Sequence, residues 1–197
     1  MNKDQLLQAY GALYGPEAGP WNLSAEQKYL EYRITQFFEE NFSVPEGADL
    51  CNVGIGAGYW DRYLSYRLRG GTLTSIDKNP LCCCHLEAGL ANEGNPNRVI
   101  VVPKDVMDCG DLAGRFDIVT MVGTTRQESG LFEDVLEMLF RFLKPGGSLY
   151  YQSLDQQEEK ETFEALCCKN EMRPTKFLLD YTFRRKAHYW QVVAKEI

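Results

Sequence analysis

Three features predict an α/β fold, a mostly parallel sheet with helices on both faces that ends in an antiparallel pair. Short apolar runs alternate with segments of helical periodicity, a glycine-rich loop follows the first run, and the last two runs lie close together. The parallel runs are Leu50 to Val53, Thr72 to Asp77, Arg98 to Val102, Phe116 to Val122 and Ser148 to Ser153. A parallel pair needs a long crossover, and a helical segment is available at most of the gaps. Phe177 to Phe183 and Tyr189 to Ala194 lie too close for a crossover, so they are expected to pair antiparallel across Arg184-Arg185-Lys186-Ala187.

Residues 1–46 read as helical with interruptions. Leu6, Leu7 and Tyr10 have helical spacing, and Gly15-Pro16-Glu17-Ala18-Gly19-Pro20 breaks it. A second helix starts at Ser24, whose hydroxyl caps it with Gln27 at capping-box spacing. Tyr29, Ile34, Phe37 and Phe38 form its apolar stripe, and Pro45-Glu46-Gly47 ends the region. Further helices are predicted over Trp60 to Leu68, over Pro80 to Leu90 with proline in its first turn, over Leu131 to Leu143, and over Gln157 to Cys168. Gly70-Gly71 stops the first of these. Lys144-Pro145-Gly146-Gly147 stops the third in a type II turn, with proline second and glycine third. No internal repeat or low-complexity segment is present.

The 197 residues suit one domain with a small extension, and 44% hydrophobic with 25% charged residues suits an ordinary core. A net charge of -7 and a pI near 5.0 argue against nucleic acid as the main partner, because phosphate contacts need clustered Lys and Arg. The run Arg184-Arg185-Lys186 is short and suits a solvated turn. No stretch reaches the length of a membrane span, and the N-terminus lacks the apolar centre of a signal peptide, so a cytoplasmic location is expected. Seven cysteines include the runs Cys82-Cys83-Cys84 and Cys167-Cys168. Adjacent helical positions diverge by about 100°, so neither run converges on a metal, and reduced structural thiols are the expectation.

The loop Cys51-Asn52-Val53-Gly54-Ile55-Gly56-Ala57-Gly58 stands where an open parallel sheet binds its ligand, outside the carboxyl end of a strand. Gly54, Gly56 and Gly58 remove every Cβ facing a ligand and permit unusual φ values. Asp77 follows Gly58 by 19 residues, at the acidic position that accepts from ribose hydroxyls. A helix-capping Asp before Asn79-Pro80 is the alternative. Asp105 follows the third strand, where an adenine amine needs an acceptor and the next amide can meet a ring nitrogen. A solvated loop Asp is its alternative, and Asp108 competes with it.

The series GIGAG, SIDKNP, PKDVMD, FDIVTMVG and FLKPGGSLY resembles the class I S-adenosylmethionine-dependent methyltransferases, in order and at ordinary spacings from Asp49 to Ile197. The resemblance implies a Rossmann-like domain over 47–197, seven strands in the order 3-2-1-4-5-7-6 with the seventh antiparallel, and a helical N-terminal cap over 1–46. It implies S-adenosylmethionine as cofactor, with S-adenosylhomocysteine as product, and no metal. By the same resemblance Gly54, Gly56 and Gly58 lie beneath the methionine part, Asp77 binds the ribose, Lys78 flanks the adenine, and Asp105 with Val106 meets the adenine edge. Gly123 is placed near the sulfonium, with Thr124 and Thr125 next toward the acceptor. Tyr10, Tyr14 and Trp21 in the cap, Thr124, Arg126 and Asp155 at the rim are the acceptor-side candidates. His188, in a strand, is read as structural.

Two departures stand out. The family usually carries Asp or Glu two residues before the first glycine, where this chain has Asn52, which brings no charge. MVGTTR lacks the Asp of the magnesium-dependent catechol-type enzymes and the Asn-Pro-Pro-Tyr type motif of amino-group nucleic-acid methylases. The expectation is a small-molecule methyltransferase acting on an O, N or carboxyl group by in-line displacement, with no evident base. A binding or partner subunit of the same fold is the alternative, and a nicotinamide dehydrogenase is disfavoured by the final hairpin. Oligomeric state is left open.

Overall fold

In a computed structural model of the chain, residues 2, 4–5, 15–17, 24–123, 132–154, 160–183 and 186–195 are described. Seven strands form one sheet: β1 (Asp49–Val53), β2 (Thr72–Ile76), β3 (Val99–Val102), β4 (Phe116–Val122), β5 (Leu143–Ser153), β6 (Met172–Asp180) and β7 (Ala187–Ala194). Their order is β3-β2-β1-β4-β5-β7-β6. The first five run parallel, and β7 is antiparallel to both β5 and β6. The expected topology is the observed one.

Among the described residues, five helices cover the sheet: α1 (Ala25–Asn41), α2 (Tyr59–Arg67), α3 (Pro80–Asn92), α4 (Phe132–Phe142) and α5 (Lys160–Lys169). Successive strand residues point to opposite faces. Leu50, Ile118, Tyr150 and Tyr189 pack against α1 and α2. Cys51, Val119, Tyr151 and Trp190 pack against α4 and α5. On the flank, Cys82, Cys83 and Leu86 of α3 enclose Ile55.

Ser24 Oγ accepts the Gln27 amide at 3.0 Å, as the capping spacing requires. α1 then buries Leu30, Phe37 and Phe38. Phe37 stacks on Tyr150 at 5.4 Å, and Phe38 meets the edge of Trp60 at 5.3 Å. Each fully buried ring of this kind contributes roughly 1.5–3 kcal/mol. This helix therefore belongs to the core of the sheet. Of the region before it, Gly15–Glu17 forms a short 3-10 turn against α3.

Three strands differ from expectation: β7 begins at Ala187, expected in the turn, and β6 and β5 differ more. β6 begins at Met172 rather than Phe177, running through Pro174 with a register shift before Lys176. It is an edge strand, where a proline's missing N–H is tolerated. β5 begins at Leu143 and absorbs Lys144-Pro145-Gly146-Gly147 as an irregularity opposite Asp117, with Gly146 at φ +75 as a type II turn requires.

Candidate active site

The glycine loop, Asp77, Asp105 and Gly123 all stand at the carboxyl ends of parallel strands, following β1, β2, β3 and β4. The order β3-β2-β1-β4 lines them up as Asp105, Asp77, loop, Gly123 across one edge. Sequence spacing alone does not show that alignment.

Gly54, Gly56 and Gly58 have φ values of 87°, 52° and 73°, all in the left-handed region where a side chain is strained. Ile55 points the other way, into the α3 flank, and anchors the loop. The Asp77 carboxylate holds the loop from the side. Its Oδ2 accepts the Ile55 amide at 2.8 Å and the Gly56 amide at 3.2 Å. Its Oδ1 accepts the Asn79 amide at 2.8 Å. Asn79 in turn caps α3 through the Leu81 amide at 3.0 Å. Asp77 thus secures a helix start and the glycine loop together, and it remains partly exposed.

Asp105 is exposed and caps a 3-10 turn over Val106–Asp108, accepting the Met107 amide at 3.0 Å. Val106 is buried, while Lys78 and Asp108 are exposed. The Gly123 amide donates to Gln152 Oε1 at 2.8 Å, which ties the end of β4 to β5, and a Cβ added at Gly123 would meet nothing within 4 Å among the described residues. Tyr10, Tyr14, Trp21, Thr124, Thr125, Arg126 and Asp155 lie outside the described residues. His188 is buried in β7, its ring over Phe177, consistent with a structural role.

Asn52 is completely buried. The Trp60 indole N–H donates to Thr120 Oγ1 at 3.0 Å. Thr120 therefore turns its own proton to Asn52 Oδ1, at 2.8 Å. That orientation leaves Asn52 Nδ2 to donate to the Gly54 carbonyl at 3.1 Å and to Asp61 Oδ1 at 2.9 Å. Asn52 faces the interior, and its link to a ligand runs through the loop.

Asp61, which the sequence reading missed, is a wholly buried carboxylate in the first turn of α2. Burial pushes its carboxyl up to about 6; hydrogen bonding from Ser75 and Asn52 lowers it, and the charge of Asp77 raises it. Its Oδ2 and Ser75 Oγ are both buried without a hydrogen bond of ordinary geometry, although Ser75 is near enough to favour the charged carboxylate. A signal existed, because Asp61 shares the helical stripe of Leu64 and Leu68, where an apolar residue is the norm.

Among the seven cysteines, all free, only Cys84 and Cys168 are exposed. Burial pushes the thiols of Cys51, Cys83 and Cys109 up, and that of Cys167 to about 12, which disfavours a thiolate nucleophile at these four. No three His, Cys, Asp or Glu residues converge as a metal site would among the described residues.

These residues fit a nucleoside carrying positive charge. The loop presents backbone with no Cβ, Asp77 keeps lone pairs for hydroxyl donors, and the orphaned Asp61 oxygen puts negative charge behind the loop. A family model described as a methyltransferase domain matches residues 26–192. The chain belongs to the methyltransferase-domain family. No curated protein sequence matches it. Solved structures resemble this methyltransferase domain in fold. The [4+2]-cyclase SpnF is 13% identical with a TM-score of 0.74, covering 100% of this chain and 97% of that one. Magnesium protoporphyrin IX methyltransferase from Synechocystis PCC 6803, with bound S-adenosylmethionine, is 12% identical with a TM-score of 0.68, covering 99% and 98%. A methyltransferase from Haloferax volcanii, in complex with the Trm112 activator, is 15% identical with a TM-score of 0.67, covering 89% and 96%. Membership of the family makes methyl transfer from S-adenosylmethionine the class of chemistry.

Proposed function

We propose that the chain transfers a methyl group from S-adenosylmethionine to an oxygen, nitrogen or carboxyl group of a small molecule. The alignment of Asp105, Asp77, the glycine loop and Gly123 along one sheet edge carries this reading, because an extended nucleoside with an amino-acid tail can span it. Asp77 accepts from the ribose hydroxyls and Lys78 flanks the adenine. Asp105 and the Val106 amide meet the adenine edge. Gly54, Gly56 and Gly58 lie under the methionine part, Asn52 acts through the Gly54 carbonyl, and Gly123 leaves room beside the sulfonium.

When bound, S-adenosylmethionine supplies a methyl group already activated by positive charge. The chain's task is then to align the acceptor and exclude water, and no metal enters this reading. Tyr10, Tyr14, Trp21, Thr124, Arg126 and Asp155 are the acceptor-side candidates, with residues 1–46 as the cap over the Rossmann-like domain. The acidic net charge favours a small acceptor over nucleic acid. No described helix is long and apolar enough to cross a membrane, which agrees with the proposed cytoplasmic location.

Isothermal titration with S-adenosylmethionine and S-adenosylhomocysteine tests the reading, and no binding at several hundred micromolar would overturn it. The uncharged Asn52 and the lack of an evident base support a second reading, in which this chain is a non-catalytic binding or partner subunit of the same fold. Turnover of labelled donor by the chain alone in a metabolite extract would exclude that alternative.

A further inference from the structure

Asn52 and Asp61 form one buried junction, an amide and a carboxylate 2.9 Å apart, both with no solvent exposure. The junction touches the glycine loop directly, through Asn52 Nδ2 and the Gly54 carbonyl. It is also close enough to Asp77 for the two carboxylates to interact. Trp60 and Thr120 fix which way the amide points, so Asn52 turns its nitrogen, as a donor, to the Asp61 carboxylate. Asp61 lies in the first turn of α2, where the helix N-terminus favours a negative charge. One of its oxygens is fully buried and lacks a hydrogen-bond partner. A buried carboxylate left incompletely bonded is destabilising, and the hydrogen bonding from Ser75 and Asn52 offsets only part of the cost of its burial. Behind a loop that receives a cationic ligand it has a use, because its field reaches the ligand through a medium that screens weakly.

We propose that Asp61 is the positioning carboxylate of the donor site, carrying from helix α2 the negative charge that the strand residue Asn52 lacks, with Asn52 relaying it to the first glycine turn. The inference rests on the proposed donor site. It acts on the amino-acid end of the donor, where the ammonium group is, and not on the adenosine end, which belongs to Asp77 and Asp105. Only one of the two junction positions can be ionised, since two buried carboxylates at this distance would repel strongly.

The test compares wild type, Asp61→Asn and the exchanged pair Asn52→Asp with Asp61→Asn. Two ligands are titrated, S-adenosylhomocysteine and 5′-methylthioadenosine, which has the nucleoside and sulfur but no ammonium or carboxylate. Asp61→Asn keeps the 2.9 Å hydrogen bond, because an amide oxygen still accepts from Asn52. It should lose about tenfold in affinity for S-adenosylhomocysteine and less than about twofold for 5′-methylthioadenosine. The exchanged pair returns a single carboxylate to the junction and should recover most of the loss, despite leaving the Gly54 carbonyl without its donor. Unchanged S-adenosylhomocysteine affinity in Asp61→Asn would overturn the proposal. An equal loss for both ligands would also overturn it, by showing that Asp61 only shapes the loop. If wild type binds neither ligand, the donor-site reading fails first and the proposal with it. Thermal denaturation of each variant separates loss of affinity from loss of fold.

Discussion

Asp77 Oδ2 lies 2.8 Å from the Ile55 amide, so the end of the second strand holds the loop that follows the first. A second bond to Gly56 and a third to Asn79 make this carboxylate the acceptor for three backbone donors. Asp77→Ala leaves all three without their partner, and a loss of about 2–3 kcal/mol in unfolding free energy is expected. The same variant should weaken S-adenosylhomocysteine binding by more than about tenfold in calorimetry, while Asp77→Asn should be intermediate in both respects.

Asp61 gives stability a pH dependence of unusual sign. Its carboxyl titrates near 6 in the folded chain against an ordinary 3.8, because burial disfavours the charge. The folded state then holds the proton more tightly than the unfolded state. Wild type should lose stability relative to Asp61→Asn as pH rises from about 4 to about 6, with no further change above that, and the total is on the order of 3 kcal/mol. Denaturant unfolding of both proteins at pH 4, 5, 6 and 7 measures the difference directly.

Placing a carboxylate at residue 52 without removing the one on Asp61 should be harmful. Asn52→Asp sets acceptor against acceptor at the 2.9 Å contact and turns a second acceptor on the Gly54 carbonyl. The pair can persist only by sharing a proton, which is favoured at low pH. A loss of about 3 kcal/mol at pH 8 that shrinks by pH 5 is expected in thermal or denaturant unfolding. Equal stability at both pH values would show that the junction can relax.

The N-terminal half of α1 is fastened to the final hairpin by Asp180. Burial pushes its carboxyl up, but hydrogen bonds from Thr182, Tyr29 and Arg33 outweigh this and hold it below its ordinary value. The Arg33 contact is 3.0 Å and the Tyr29 contact 2.9 Å. Asp180→Ala leaves the partly buried Arg33 guanidinium with Gln36 but without its counter-charge, and should cost about 1–3 kcal/mol at pH 7. The contribution is present above the ordinary carboxylate range and fades as pH falls through the folded value, opposite in sign to that of Asp61. Wild-type and variant unfolding curves should therefore converge in acid.

Gly15 sits on the imidazole of His85 with φ +66, and a Cβ built there would come within 2.5 Å of the ring. Gly15→Ala should cost about 1–3 kcal/mol, partly through backbone strain and partly through the clash. In a His85→Ala background only the strain remains, so the penalty should fall by about half. Melting temperatures of the four proteins in this cycle give the answer; no difference between backgrounds would mean that the contact is not formed in solution.

Much of the fold was legible because it is written in local patterns. The β-branched runs, the Ser24 cap, Pro80 at the start of α3 and the short final connection each constrain only nearby residues, and each is where expected. The first five residues of β6 are not legible as strand, because Pro174 lies among them and the tolerance of an edge position is a property of the sheet. The glycine loop and Asp77 were legible as a pair. The destination of the Asp77 oxygens was not, because hydrogen bonds to Ile55 and Gly56 form across two strands.

The sequence by itself determined the element order and the family resemblance, since strand and helix periods and glycine positions depend on neighbours along the chain; the strand order came with the resemblance. Only the tertiary structure decided what Asn52 does. Read along the chain, it is a missing charge two residues before a glycine. Folded, it is hydrogen bonded to a carboxylate nine residues away, which burial and Asp77 push toward neutrality and which the helix N-terminus and the Asn52 amide hold toward the charged form. Charge at a buried site belongs to the packed arrangement, because the energy of an ion depends on everything that replaces its water.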